Sequence, residues 1–207
     1  MMRNFVRLFS MLVCFSLSAW TQDEVPRVEV FGGYSILHPN IPADIGGGGA
    51  EGEAAAEIGE FALGNLLGWG ASVTVNVNRV LGITADFSGH YKDLDVSFEG
   101  DRVDANADLH TFLFGPKITI RNERVSPFVH ALFGFGRVGA SGSVNGDSSE
   151  FEETGFAASV GGGVDVLAHS NVAVRAIEFD YFPYRTGNGD TFTFNNVRLC
   201  SGVVFRF

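Results

Sequence analysis

Apolar and polar residues alternate with a period of two along most of the chain after residue 25. Between residues 69 and 77, Trp, Ala and Val occupy the odd positions, while Gly, Ser, Thr and Asn occupy the even ones. Successive side chains of a β-strand point to opposite faces, so this pattern predicts a strand. The alternating segments run for about 9–11 residues, the length of a tilted strand that crosses a bilayer.

The pattern recurs along the chain and predicts eight strands. They cover residues 27–36, 69–77, 81–91, 112–120, 127–136, 156–166, 172–184 and 197–207. The seventh is ambiguous, because Arg175 has the same parity as Ile177 and Phe179. A β-bulge between them would remove the conflict, since it adds one residue to a single strand.

Short and long connections between these segments strictly alternate. Tight turns are predicted near residues 78–79, 122–124 and 169–171, and long loops over residues 38–66, 92–106, 139–154 and 185–193. This order places all tight turns at one end, as in transmembrane barrels with periplasmic turns and extracellular loops. The even strand number places both chain ends on the periplasmic side. Most acidic residues fall in the first three long loops, which are therefore predicted to be acidic and extracellular.

The residues on the second face of each strand decide which solvent the apolar face meets. A soluble sandwich or lipocalin-like barrel also alternates, but it needs a charged exterior. Here the second face is mostly Gly, Ser, Thr and Asn, which suits the crowded interior of a small barrel. We therefore predict an all-β fold, an eight-stranded antiparallel up-and-down transmembrane β-barrel. The aromatic residues near strand ends are expected to form a girdle at the membrane surface: Tyr34, Trp69, Tyr91, Tyr181 and Tyr184.

The first residues have the features of a secretory signal peptide. Arg3 and Arg7 precede an apolar run that is too short for a transmembrane anchor, and small residues follow. A lipoprotein signal at Cys14 is the weaker alternative, because Val13 stands where a small residue is expected. We assign residues 1–22 to the leader and residues 23–207 to the barrel domain. The net charge of −10, or −12 without Arg3 and Arg7, argues against a nucleic-acid partner.

The whole mature chain resembles the small bacterial outer-membrane β-barrel family, the OmpA-like eight-stranded group. The most specific local match is the ending, where Gly202, Phe205 and Phe207 fit the family's C-terminal assembly signal. Cys200 departs from the polar residue that the family prefers there. The resemblance implies a location in the bacterial outer membrane, in contact with lipid and lipopolysaccharide. It also implies recognition by periplasmic chaperones and by the barrel-assembly machinery, and a monomeric barrel.

Charged residues on the second face are candidates for a polar network in the barrel lumen. They could line a narrow solute pathway, or they could pair with one another and plug the interior. The second alternative is favoured, because an unpaired buried charge is costly. Glu178 and Asp180 would join the network if Arg175 does not. The predicted network residues are Asp86, His90, Lys117, His130, Asp165, Arg198 and Arg206.

Catalysis and metal binding find little support in the sequence. A lipid-modifying enzyme would need a nucleophile beside its base, and no strand carries a His-x-Ser pair. The acidic loops lack the spacing of an EF-hand. We predict no catalytic, cofactor or metal site, and a structural or surface-interaction role with a plugged lumen. A narrow pore is the main alternative, and an outer-membrane lipid-modifying enzyme is the weaker one.

Overall fold

The chain forms a closed barrel of eight antiparallel strands in sequence order. The computed structural model describes residues 25–40, 64–98, 101–144, 147–186 and 192–207. The barrel closes where β8 pairs with β1, for example at Val30 and Phe205. Among the described residues, no helix is long and apolar enough to span a membrane. The strands are β1 (Val28–His38), β2 (Leu66–Asn76), β3 (Leu81–Phe98), β4 (Asp101–Thr119), β5 (Val125–Val144), β6 (Asp147–His169), β7 (Val172–Thr186) and β8 (Phe192–Arg206).

Large apolar side chains cover the outside of all eight strands. On β2, Trp69, Val73 and Val75 are exposed, whereas Ser72 and Thr74 are buried inside the barrel. A water-soluble protein rarely exposes a continuous apolar surface of this extent. The exterior therefore meets hydrocarbon, and the interior contains the polar side chains, as the sequence predicted.

Three tight turns connect the strands at one end of the barrel, which we call the turn end. They lie between β2 and β3, β4 and β5, and β6 and β7, at the positions that the sequence predicts. In the first, the backbone N–H groups of Val80 and Leu81 both donate to Asn78 Oδ1 at 2.8 Å. Such an Asx turn lets a short polar side chain satisfy the backbone that the strand ladder leaves unpaired. We call the opposite end the hairpin end. There β3 meets β4 at Phe98 and Asp101, and β5 meets β6 at Val144 and Asp147.

Two of the predicted long loops are wrong, because the strands continue through them. Pairing of β3 with β4 extends to Phe98 and Asp101, and pairing of β5 with β6 extends to Val144 and Asp147. The phase of the alternation reverses there in the sequence: odd positions are apolar up to Tyr91, and even positions are apolar from residue 94. Such a reversal is expected where the outer face of a strand passes from lipid to water. The acidic residues of the first long loop lie outside the described residues.

A β-bulge in β7 resolves the parity conflict that the sequence left open. Asp165 pairs with Arg175, but the next β6 residue, Val164, pairs with Ile177, so Ala176 is the extra residue. Ala176 and Ile177 are consequently both exposed, whereas Arg175 and Glu178 are both buried. The bulge allows charges of opposite parity to enter the same lumen.

The aromatic girdle contains four of the five predicted residues. Tyr34, Trp69, Tyr91 and Tyr181 are exposed on the outer surface, toward the hairpin end. Tyr184 is the exception and the prediction for it is wrong: its side chain is 2% exposed and packs inside the barrel. Once β7 is past its bulge, even-numbered residues point inward, and Tyr184 follows that parity.

Candidate functional site

The barrel interior has two layers of different chemistry. Toward the hairpin end, buried apolar side chains form one cluster, the apolar layer, which consists of Leu37, Leu66, Leu109, Leu113, Leu132, Ala157, Phe182 and Tyr184. Toward the turn end, charged side chains form a continuous chain of ion pairs, the lumen network. Its members are Glu29, Asp86, Lys117, Arg121, His130, Asp165, Arg175, Glu178, Asp180, Arg198 and Arg206.

Glu29 anchors the network nearest the turn end. Its carboxylate lies 3.2 Å from Arg121 Nη2, 3.4 Å from Arg206 Nε and 3.7 Å from Lys117 Nζ. Lys117 Nζ also lies 3.9 Å from Asp165 Oδ2. Glu29 thus joins three strands, because β1, β4 and β8 contribute Glu29, Lys117 and Arg206.

Arg175 links this group to the middle of the barrel. Its Nε donates to Asp165 Oδ1 at 2.9 Å and its Nη1 to Glu178 Oε2 at 2.5 Å. The guanidinium also lies over the rings of Phe31 and Phe128, at 4.2 Å and 4.4 Å from the centroids. These cation–π contacts hold the charge at a buried place, where they are stronger than at an exposed one.

Arg198 is the central cation of the network. It donates to Asp86 Oδ1 at 2.8 Å and, through Nη2 and Nε, reaches Asp180 Oδ2 at 2.7 Å and 2.9 Å. His130 Nε2 donates to the other oxygen of Asp180 at 2.8 Å. The planar fork of arginine suits this arrangement, because it can serve carboxylates on two sides at once.

The formal charges of the network balance. Five carboxylates face five cations, Lys117 and four arginines, when His130 is neutral. Separating charges from water costs several kcal/mol for each ion, and only close pairing offsets the cost. An alternating chain of opposite charges is therefore the arrangement in which these side chains can remain inside the barrel.

All seven side chains predicted for the lumen lie in the barrel interior, and six of them belong to the network. His90 is buried but separate: its Nε2 lies 2.7 Å from Ser35 Oγ. Cys200 Sγ lies 3.2 Å from the same hydroxyl, so the lone thiol also faces the lumen.

Sequence reasoning missed two network members and misjudged three others. Glu29 stands between Val28 and Val30 in a clean alternation, and its parity was a signal that could have placed it inside. Arg121 follows the end of β4 and carried no such signal. Arg175, Glu178 and Asp180 all join the network, so the expectation that Arg175 and the two acids exclude one another is wrong. The bulge is the physical reason.

One group of network residues has the composition of a metal site. Ligand atoms of His130, Glu178 and Asp180 lie within 4.8 Å of one another. Arg198 bonds Asp180, however, and Arg175 bonds Glu178, so guanidinium groups already engage these oxygens and oppose a second cation. We assign these residues to the ion-pair network.

Two histidines make contacts that a hydrolytic site would also use, but neither is part of a complete one among the described residues. The His90 imidazole bonds Ser35, but its Nδ1 has no hydrogen-bond partner among the described residues, so no carboxylate orients it. On the outer surface His110 contacts Asp108 at 3.1 Å and Tyr91 at 2.8 Å. This trio lies beside the aromatic girdle and contains no serine.

The residues of the predicted assembly signal differ in exposure. Gly202 packs where β8 passes close to Gly33 of β1, and a side chain there would meet that backbone. Phe205 and Phe207 are exposed on the lipid face of the last strand. Their role in assembly stays a prediction.

A closed antiparallel barrel with an apolar exterior and a charged interior defines a transmembrane β-barrel. The family described as "Outer membrane protein beta-barrel domain" matches residues 8–207. The chain therefore belongs to this family of bacterial outer-membrane barrels.

Solved structures of small outer-membrane barrels share the fold. Ail, the attachment invasion locus protein of Yersinia pestis, is 19% identical with a TM-score of 0.55, over 87% of this chain and 99% of Ail. Neisserial surface protein A is 15% identical with a TM-score of 0.50, over 87% of this chain and 97% of that protein. No curated protein matches the chain.

Proposed function

We propose that the protein is a surface-interaction scaffold of the bacterial outer membrane, with a closed lumen and an acidic extracellular end. One observation carries this proposal: β3, β4, β5 and β6 continue as a four-stranded sheet beyond the aromatic girdle. Pairing of β2 with β3 ends at Leu67 and Tyr91, and pairing of β6 with β7 ends at Phe156 and Arg185. The extension lies beyond the part of the barrel that crosses the membrane. We therefore assign it to contacts with molecules outside the membrane.

The two edges of this extension support the same role. In the described part of the chain, β3 beyond Tyr91 has no neighbour on its β2 side, and Asp147–Gly155 of β6 has none on its β7 side. An unpaired edge presents backbone N–H and C=O groups that an extended peptide can bind as an added strand.

The charge of the extension favours a cationic polypeptide partner. Residues 147–155 contain Asp147, Glu150, Glu152 and Glu153 and no Lys or Arg. Ail has been crystallised with sucrose octasulfate, a heparin analogue; an anionic ligand of that kind does not suit this acidic extension. Like charges also oppose pairing between two copies of the same edge.

Capture of proteoliposomes on immobilised polylysine tests the proposal. Zwitterionic proteoliposomes that carry the wild-type protein should bind the surface. A variant in which residues 94–105 and 142–151 are each replaced by an Asn-Gly turn should lose most of this binding while it keeps its heat-modifiable gel migration. Capture on polyglutamate is the control, and equal capture of wild type and variant on polylysine would refute the proposal.

We further propose that the lumen does not conduct and that the protein has no catalytic activity. Two points support a closed lumen: the apolar layer and the balanced network fill successive levels of the interior. Eight strands also leave no room for an aqueous channel. The narrow-pore and lipid-modifying alternatives lack an open path and a serine-histidine-acid cluster among the described residues.

A further inference from the structure

The turn end of the barrel carries an unusual concentration of arginine. Arg27 precedes β1, Arg79 lies in the first turn, and Arg121 and Arg124 flank the second. Among the described residues, Glu123 is the exposed acidic side chain at this end, whereas Glu29 is buried and already paired. The described part of the turn end is therefore basic on its surface, in a chain whose net charge is −10.

These arginines follow successive strands around the rim. Arg121 Nη1 donates to the carbonyl of Arg79 at 2.6 Å, which ties the end of β4 to the first turn. The carbonyl of Arg124 accepts from Leu167 N at 2.8 Å, and that of Arg27 accepts from Asn76 N at 2.9 Å. The backbone positions are thus fixed from β1 to β6.

Three of the side chains are free to bind an external anion. Arg27, Arg79 and Arg124 are exposed, and among the described residues none of their guanidinium groups has an ion-pair partner. At the hairpin end, exposed Arg137 is instead paired with Glu152.

The arginines stand at the border of the lipid-facing surface. Arg79 lies between Val77 and Val80, which are 65% and 51% exposed. Arg124 precedes Val125, and Arg121 follows Ile120. Val125 and Ile120 are both exposed. Arginine beside a lipid-facing residue can keep its stem against apolar surface and extend its guanidinium to the headgroup region. The apolar neighbours show that these charges lie at the edge of the lipid-facing surface.

We propose that the arginines of the turn end form a binding surface for anionic phospholipid headgroups in the periplasmic leaflet. A guanidinium binds a phosphate with two parallel N–H donors, and each cation near a membrane surface attracts anionic lipid. Arg79 and Arg124 are the principal residues, and Arg27 extends the surface along β1. This surface is independent of the proposed contacts at the hairpin end.

Selectivity for boundary lipid measures this binding directly. The folded protein is placed in phosphatidylcholine bilayers with a trace of spin-labelled phosphatidylglycerol or, in parallel, spin-labelled phosphatidylcholine. We expect the average association constant of the boundary lipid to be about twofold or more higher for phosphatidylglycerol than for phosphatidylcholine in the wild type. Added salt should lower this ratio. R79Q/R124Q should reduce the ratio to about one, and R79K/R124K should restore most of it.

A charge-matched variant separates this surface from the general effect of charge. K92Q/R185Q removes two cations near the hairpin end, where Arg185 is exposed, and should leave the lipid preference unchanged. Heat-modifiable migration shows whether each variant is folded. No preference in the wild type, a preference that survives R79Q/R124Q, or equal loss in K92Q/R185Q would overturn the proposal. The proposal would also be overturned if the wild type showed no lipid selectivity but sedimented with peptidoglycan, and if this sedimentation depended on the same arginines.

Discussion

At the scale of single residues, the barrel contains side chains that bring charge into a buried interior. Arg198 is 1% exposed and is shared by Asp86 and Asp180. Its contribution is best judged by what its loss would leave behind, since removing one member of a buried pair leaves an uncompensated charge.

Arg198→Met should destabilise the barrel by about 3–5 kcal/mol, because Asp86 and Asp180 would lose their central cation. Urea unfolding in lipid vesicles, followed by tryptophan fluorescence, measures the change. Arg185→Met, at an exposed position, is the control and should change stability by less than about 0.5 kcal/mol. The double variant R198M/D180N should recover part of the loss, whereas strictly additive effects would contradict direct coupling.

Two neighbouring glycines should respond differently to the same added methyl group. A Cβ on Gly33 would lie 2.8 Å from Gly202 Cα and would also press on the carbonyl of Ser201, whereas a Cβ on Gly32 would meet nothing within 4 Å. Gly33→Ala should therefore cost about 1–3 kcal/mol, and Gly32→Ala less than about 0.5 kcal/mol. The same unfolding measurement decides, and equal effects would show that β1 can shift away from β8.

At the scale of strands, the sequence predicted the number, order and faces of the elements because the two solvents impose a period of two. The prediction from sequence failed where the phase of this period changes. Beyond Tyr91 the phase of the alternation reverses, so β3 looked shorter than it is. Tyr184 was misplaced because aromatic residues near strand ends suit both a girdle and an apolar interior, and only the register of β7 distinguishes them.

The bulge at Ala176 could not be located from sequence, since any residue between Arg175 and Glu178 could have provided the extra position. Its importance can be tested by deletion. Removal of Ala176 leaves Arg175 and Glu178 two positions apart, so a regular β7 still points both side chains into the lumen. The deletion variant should therefore give a heat-modifiable band in detergent. Ala176→Val keeps the residue count at an exposed position and should fold. A deletion variant that fails to fold, beside a folded Ala176→Val, would show that the bulge does more than set the phase of β7.

At the scale of the whole molecule, the described charges are arranged along the barrel axis. Exposed arginines lie at the turn end, a neutral network fills the lower interior, and the strands that form the proposed acidic extension continue beyond the aromatic girdle. The apolar layer separates the network from the hairpin end. Ions would have to cross both layers, which supports the proposed closed lumen.

Planar bilayers that contain the refolded protein should therefore show no steady single-channel steps. The physical reason is that Arg198 and Leu113, at 1% and 0% exposure, are sealed within successive layers of the interior. A porin of known conductance in the same bilayers serves as the positive control. Reproducible steps that scale with the amount of protein would favour the narrow pore.

The chain end shows how assembly can be separated from stability. The backbone of Phe207 exchanges two hydrogen bonds with Val28, at 2.9 Å and 3.1 Å, while its side chain is 66% exposed. Phe207→Ala keeps those bonds and should cost the refolded barrel only about 0.5 kcal/mol. If the terminal aromatic is an assembly signal, the same variant should reach the outer membrane several-fold more slowly in pulse-chase experiments. Leu199→Ala, a lipid-facing change in the same strand, should assemble at the normal rate. Normal assembly of Phe207→Ala would remove the signal role from this residue.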